Sequence, residues 1–264
     1  MNEPEDGPDG EPGAGHDVPS ASSAARTVQI LQTGRLTLGE LQDRMGHPRS
    51  SGQALVRTLR ELTWIEADPT GSAFGVGPHA LLSGSAYLDL DPAYPYACEA
   101  LEDLRSEVGH TTNYGRRDGA QVLYLATRER CCAEPLFSRV GRRVPAHITA
   151  LGHALLAGLT PKEVKAVLPP TLEPHTPHTI TTYGRLHRHL EKVRAQGWAV
   201  EREQGVPGVT CVAAVVDHRT PPTDAISCSM PVAEATPEEV QRVAAAVVAS
   251  AQRLATSLRQ AGVR

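Results

Sequence analysis

A chain of 264 residues with 40% apolar side chains can fill one large or two ordinary cores, and at 4% aromatics those cores must rest on Leu, Val and Ala. A formal net charge of -4 excludes a uniformly basic coat for nucleic acid, and no apolar run reaches membrane-spanning length. Five cysteines without a CxxC pair, and an N-terminus without a basic-then-apolar leader, point to a reducing cytoplasm rather than a disulfide framework.

Residues 1–21 read as an acidic, Gly- and Pro-rich tail with little to bury: residues 1–20 hold six acids and no Lys or Arg. A first helix is expected over 22–33 on Val28, Ile30 and Leu31. Thr37 then opens a second as N-cap, with Glu40 as its capping-box partner and Leu38, Leu41 and Met45 on one face. Gly46-His47 ends it, and Pro48 suits the start of the next. RSSGQALVRTLREL is expected to turn Ala54, Leu55, Leu59 and Leu62 inward and to leave Arg49, Ser50, Ser51, Gln53 and Arg57 outward. WIEADPTGSAFGVG follows as a short hairpin around a DPTG turn. Two short helices and a hairpin form the pattern of a winged helix-turn-helix over 22–77. Its second helix carries Arg for guanine, Gln for adenine and serines for phosphate. Double-stranded operator DNA is the partner this implies. Residues 26–66 hold six arginines against four acids, a modest local excess of +2.

PHALLSGSAYLDL reads as a linker helix within 78–92, with small residues on its exposed face, and Asp91-Pro92 and Pro95 mark a boundary. From 93 to 264 helices alternate with strands. EALEDLRSEVG is a helix on Leu101, Leu104 and Val108, and TTNYGRRDGAQVLYLATRE is a hairpin around Arg-Asp-Gly. RVGRRVPAHITALGHALLAGL leads into a helix, and Thr160 to Glu163 caps the next. A helix over 182–196 precedes three strand candidates: WAVERE, VTCVAAVVD and DAISCSM. A last helix starts at Pro237, capped by Thr236 and Glu239, with Val240, Val243, Val247, Ala251, Leu254 and Leu258 at helical spacing. The whole is an α+β domain.

Enzyme motifs are missing: there is no G-x-S-x-G elbow, P-loop, HExxH or dinucleotide fingerprint, so neither catalysis nor a cofactor is expected. His187 and His189 stand two apart on a helix and so face different ways, which argues against a shared metal; His175 and His178 are read as solvated. The adjacent Cys131 and Cys132 are read as incidental thiols.

Four segments together resemble the isocitrate lyase regulator (IclR) family of bacterial transcription regulators. They are the RVGRRVPAHITALGHALLAGL signature (Gly141, Pro145, His147, Thr149, Ala150, Gly152, Ala154, Leu156), QGWAVEREQGVPGVTCVAAVVD, the S-x-S-x-P of Ser227, Ser229 and Pro231, and the wing ending GSAFGVG. The resemblance runs in order over roughly residues 24–260. It implies an operator-binding winged helix, a linker helix, and a C-terminal GAF-like domain that binds a small-molecule effector, in a chain that pairs with itself as dimer or tetramer. Carried over residue by residue, Ala150 and Leu151 line the effector pocket, with Glu201, Cys211, Ser227 and Ser229. Ser227 and Ser229 also share one strand face, where hydroxyls can grip a polar ligand. His153 stands where a lysine is common, Ala54 where an arginine is common, and Val215 where a proline is. The alternative reading is a small-molecule sensor whose helix-turn-helix serves protein contact or dimerisation, without sequence-specific DNA binding.

Overall fold

The computed structural model describes residues 18–46, 49–130 and 140–263, apart from the Arg49 side chain. Residues 1–17 of the acidic tail, His47, Pro48 and the Cys131-Cys132 pair, on which sequence expectations rest, lie outside those residues. Residues 19–21, expected to end the tail, instead open the first helix, with Pro19 at a position where its missing N–H costs no bond. The chain divides into two compact units between Tyr87 and Leu88.

The first unit runs α1 (Pro19–Leu31), β1 (Leu36–Thr37), α2 (Leu38–Met45), α3 (Arg49–Glu61), β2 (Ile65–Ala67) and β3 (Ala73–Val76). Thr37 and Glu40 make the reciprocal capping box: the Glu40 carboxylate accepts from the Thr37 amide at 2.8 Å, and the Thr37 hydroxyl accepts from the Glu40 amide. Gly46 closes α2 at a φ of 66°, a conformation that favours glycine. In the wing turn, the Asp68 carboxylate accepts from the Ser72 and Ala73 amides and the Thr70 hydroxyl, which stiffens the hairpin tip. Patterning did not reveal β1, which is two residues long. It pairs with β3 through Leu36↔Phe74 and makes the sheet order β1-β3-β2. This is winged-helix topology, closed over Leu31, Leu36, Leu41, Val56, Leu59, Ile65 and Phe74.

Helix α3 is rotated from its expected setting. Ala54 and Leu62 are exposed, and Val56 is buried instead. The inward set is Gly52, Leu55, Val56 and Leu59, at i, i+3, i+4 and i+7; Leu62 lies beyond the last helical residue. A Cβ on Gly52 would stand 3.0 Å from the Gln42 side chain, so the glycine permits close approach of α2.

Helix α4 (Pro78–Asp89) has no buried residue. Its exposed surface includes Leu81, Leu82 and Tyr87 as well as the small residues expected there. The division between the units falls within it.

The second unit comprises α5 (Tyr94–Val108), β4 (Thr111–Asp118), β5 (Gln121–Arg128), β6 (Arg143–Pro145), a 3-10 turn (Ala146–Ile148), α6 (Ala150–Ala157), α7 (Pro161–Val167), α8 (Tyr183–Gln196), β7 (Ala199–Arg202), β8 (Val209–Val216), β9 (Asp224–Pro231) and α9 (Pro237–Gln260). Pro95, expected at a boundary, sits in the first turn of α5, where its missing N–H costs no hydrogen bond. Among the described residues the strands form one antiparallel sheet ordered β6-β5-β4-β9-β8-β7. Alternation splits β9 cleanly: Ile226, Cys228 and Met230 join α5 and α9 on one face, while Ala225, Ser227 and Ser229 face α6 on the other. The stripe predicted on α9 is buried throughout. Its cap is half of what was expected: the Thr236 hydroxyl accepts from the Glu239 amide, but the Glu239 carboxylate turns to His110 and Arg242.

Helix α6 (ALGHALLA) is apolar all round and every residue of it is buried, as such a pattern requires. Its terminal carbonyls need partners, and Arg194 of α8 donates to Ala157 O at 2.7 Å and Leu159 O at 2.9 Å. Among the described residues no helix is long and apolar enough to cross a membrane.

Candidate DNA-reading helix and effector cavity

On α3, Ser50, Gln53, Ala54 and Arg57 recur at i, i+3, i+4 and i+7 as one exposed stripe, with Ser51 exposed beside it. The stripe carries amide, hydroxyl and guanidinium donors and no carboxylate. At the wing base Arg35 pairs with Glu66 at 2.7 Å, and the Arg60 guanidinium lies 5.8 Å over the Phe74 ring.

In the second unit a cavity of about 410 Å³ opens between the α6 face of the sheet and the 3-10 turn. Ala150, Leu151, Glu201, Cys211, Ser227 and Ser229, drawn from four separate stretches of the sequence, all line it. Strand register brings the last four together, through Glu201↔Cys211 and Cys211↔Ser229. Thr149 caps α6 by accepting from the Gly152 amide, which leaves the Ala150 and Leu151 amides at the first turn without helical acceptors, a positive end facing the cavity.

Asn113 of β4 organises the floor. Its Nδ2 lies 3.3 Å from Ser229 Oγ and 3.5 Å from Ser227 Oγ, while its Oδ1 accepts from the Thr127 hydroxyl at 3.0 Å. The serine oxygens thus accept from Asn113 and keep their own hydrogens for donation. Cys211 Sγ contacts Ser229 Oγ at 3.2 Å. Burial and the nearby Glu201 push that thiol well up, so it stays protonated.

Behind the wall, His189 Nε2 meets His153 Nδ1 at 3.1 Å, and His153 Nε2 meets the His147 carbonyl at 2.8 Å. A carbonyl only accepts, so His153 carries its proton on Nε2 and His189 donates to Nδ1. Burial, with His189 beside it, drives His153 down to about 3 and keeps it neutral. A neutral imidazole thus takes the place of the common lysine and ties the 146–148 turn to α6 and α8. His187 lies beside the Tyr183 ring instead, on a different face from His189. His175 is exposed, in line with its reading as solvated, and it also lines the cavity.

Sequence reasoning missed Tyr124, Arg142 and Arg143, which also line the cavity, and Asn113 beneath it. Only the alternation of Val122 and Tyr124 along β5 hinted at the first.

Burial pushes the Glu201 carboxyl up to about 7, against the lowering pull of the Gln204 amide, which donates to it at 2.9 Å. A folded-state value above the unfolded one means that the native chain holds the proton more tightly. Its stabilising effect is complete below about 4.5 and lost as pH rises through about 7. Glu201→Gln should therefore be the more stable form above pH 7, by a margin on the order of 3 kcal/mol at most, and the margin should vanish toward pH 4. Urea midpoints of both forms at pH 4, 6 and 8 check this; a margin that does not change with pH would count against it.

A winged helix in the same chain as a sheet domain with a donor-lined cavity is the build of a ligand-sensing transcription regulator. Comparison with known proteins agrees. The family described as bacterial transcriptional regulator IclR C-terminal matches residues 88–256. The HTH-type transcriptional regulator XynR of Escherichia coli is 30% identical over 219 residues, covering 80% of this chain and 87% of that protein. The crystal structure of an IclR transcriptional regulator from Alicyclobacillus acidocaldarius is 26% identical, with a TM-score of 0.81, covering 91% of this chain and 99% of that one. An IclR homolog from Microbacterium hydrocarbonoxydans, complexed with 4-hydroxybenzoate, shares the fold at a TM-score of 0.75 and 20% identity, covering 91% and 99%. The chain belongs to the IclR family of bacterial transcriptional regulators, and its members are not enzymes.

Proposed function

We propose that this chain reads operator DNA with α3 and that a small organic acid in the cavity tunes that binding. The cavity carries the reading: the free amides of α6, the serine hydroxyls and the guanidinium of exposed Arg142 are donors suited to a carboxylate. Arg143 is paired with Asp118 at 2.7 Å. The relative that binds 4-hydroxybenzoate supports the same ligand chemistry. On α3, Arg57 and Gln53 read base edges, while Arg49, Ser50 and Ser51 engage phosphate near the helix N-terminus. Self-association is part of this proposal, supported by an α4 without a buried residue and with Leu81 and Leu82 exposed. A bound ligand shifts operator affinity only by its differential affinity for the two arrangements of the protein.

Fluorescence anisotropy on DNA upstream of the protein's own gene, at two salt concentrations, tests the DNA reading. The double variant Gln53→Ala/Arg57→Ala should lose about 10- to 100-fold in specific affinity while retaining its salt-sensitive, non-specific binding. Unchanged specific affinity would overturn the assignment of α3 and favour a sensor without sequence-specific DNA binding.

A further inference from the structure

Tyr124 is a polar group of the cavity for whose hydroxyl the described residues supply no hydrogen-bond partner. It projects from β5, is only 9% exposed, and lines the cavity. Every other polar side chain of the floor is engaged: Ser227 and Ser229 by Asn113, Cys211 by Ser229, and Glu201 by the Gln204 amide. The Tyr124 oxygen is not enclosed by protein atoms, so it opens onto the cavity and is free to donate to a ligand there. Burial pushes its pKa up, and the neighbouring Cys211 and Glu201 push it further, so it remains an O–H donor and lies within electrostatic reach of the Glu201 carboxyl.

We propose that Tyr124 is the specificity residue of this cavity, and that it selects an effector carrying a hydroxyl group in addition to its carboxylate. A hydroxyl both accepts and donates, so one such group satisfies the Tyr124 O–H and the Glu201 carboxyl together. A hydrocarbon at that end would leave the Tyr124 O–H without an acceptor. The proposal rests on the organic-acid reading above, whose anchor is the first turn of α6 and the serines, and it adds the group recognised at the Tyr124 end.

Isothermal titration of the full chain with two matched pairs tests it: 4-hydroxybenzoate against benzoate, and 3-hydroxybutyrate against butyrate. At least one hydroxy acid should bind about tenfold or more tightly than its partner, because a buried donor left unpaired penalises the deoxy ligand. In Tyr124→Phe, which keeps the ring and removes only the oxygen, that ratio should fall to within about threefold, with the deoxy acid binding as before. A ratio that survives Tyr124→Phe, or hydroxy and deoxy acids that bind wild type equally, overturns the role of Tyr124 and leaves the organic-acid reading standing. Failure of both members of both pairs to bind overturns the two together.

Discussion

Replacing Arg116 by methionine should cost about 3–5 kcal/mol of stability, the usual penalty for stripping one partner from a buried ion pair. The guanidinium bridges two carboxylates. Its Nε and Nη2 donate to Asp224 at 2.7 and 2.9 Å, and its Nη1 lies 2.7 Å from Asp91, just beyond the end of α4. Asp224 is fully buried and also accepts from the Tyr114 and Thr223 hydroxyls. Burial alone would push its carboxyl up; Arg116 outweighs burial and holds it below the usual carboxylate range. Without Arg116, Asp91 loses its cation and Asp224 keeps only two hydroxyls and His218 at 3.6 Å, so protonation of Asp224 becomes the cheaper escape. The loss should therefore be largest near neutral pH and shrink toward pH 4, where protonated carboxyls no longer need the cation. Adding Asp224→Asn to Arg116→Met should recover part of it, because an amide oxygen still accepts from Tyr114. Urea unfolding of the single and double variants at two pH values checks the argument. A single-variant loss below about 1 kcal/mol would place this cluster with exposed pairs of little consequence.

Gly152→Ala is the second large effect expected. A Cβ at this position would lie 2.0 Å from the Ala146 carbonyl oxygen and 2.5 Å from that residue's C and Cα atoms. These are backbone atoms, so no side chain can swing aside; α6 must move away from the 146–148 turn. Overpacking in a filled core costs about 1–3 kcal/mol and more where backbone must shift, against about 1 kcal/mol regained from better helix propensity. A net loss of at least about 2 kcal/mol is expected. The displaced turn also carries the cavity wall with it, since Ala150 and Leu151 begin the same helix. Ligand affinity should fall with stability, measured by titration at a temperature where the variant remains folded. An alanine variant with native stability and native ligand binding would contradict the contact.

Legibility in the sequence followed the range of the interaction. The capping boxes at Thr37–Glu40 and Thr160–Glu163 join residues three apart, and both form as expected. The left-handed glycines at 109 and 197 end their helices because no side chain competes there. Where a neighbouring element competed for a residue, sequence reasoning slipped. Glu239 was expected to complete a cap and instead meets His110, 129 residues away, at 2.8 Å. On α3 the choice between Ala54 and Val56 depended on which face α2 covers, and that is a tertiary fact.

What the sequence by itself determined is the succession of elements apart from the short strands β1 and β6, the winged helix, and a family signature whose six named pocket residues share one cavity. These rest on contacts within a few residues and on hydrophobic period, which any stretch of chain carries with it. Only the tertiary structure decided which strands are neighbours. Pairing β4 with β9 sets Asn113 beside Ser227 and Ser229, and Arg116 beside Asp224, across more than a hundred residues of chain. It also turned Tyr124 into a cavity shared with Glu201. Strand order is chosen by packing of whole faces, and no local pattern in β4 or β9 encodes its partner.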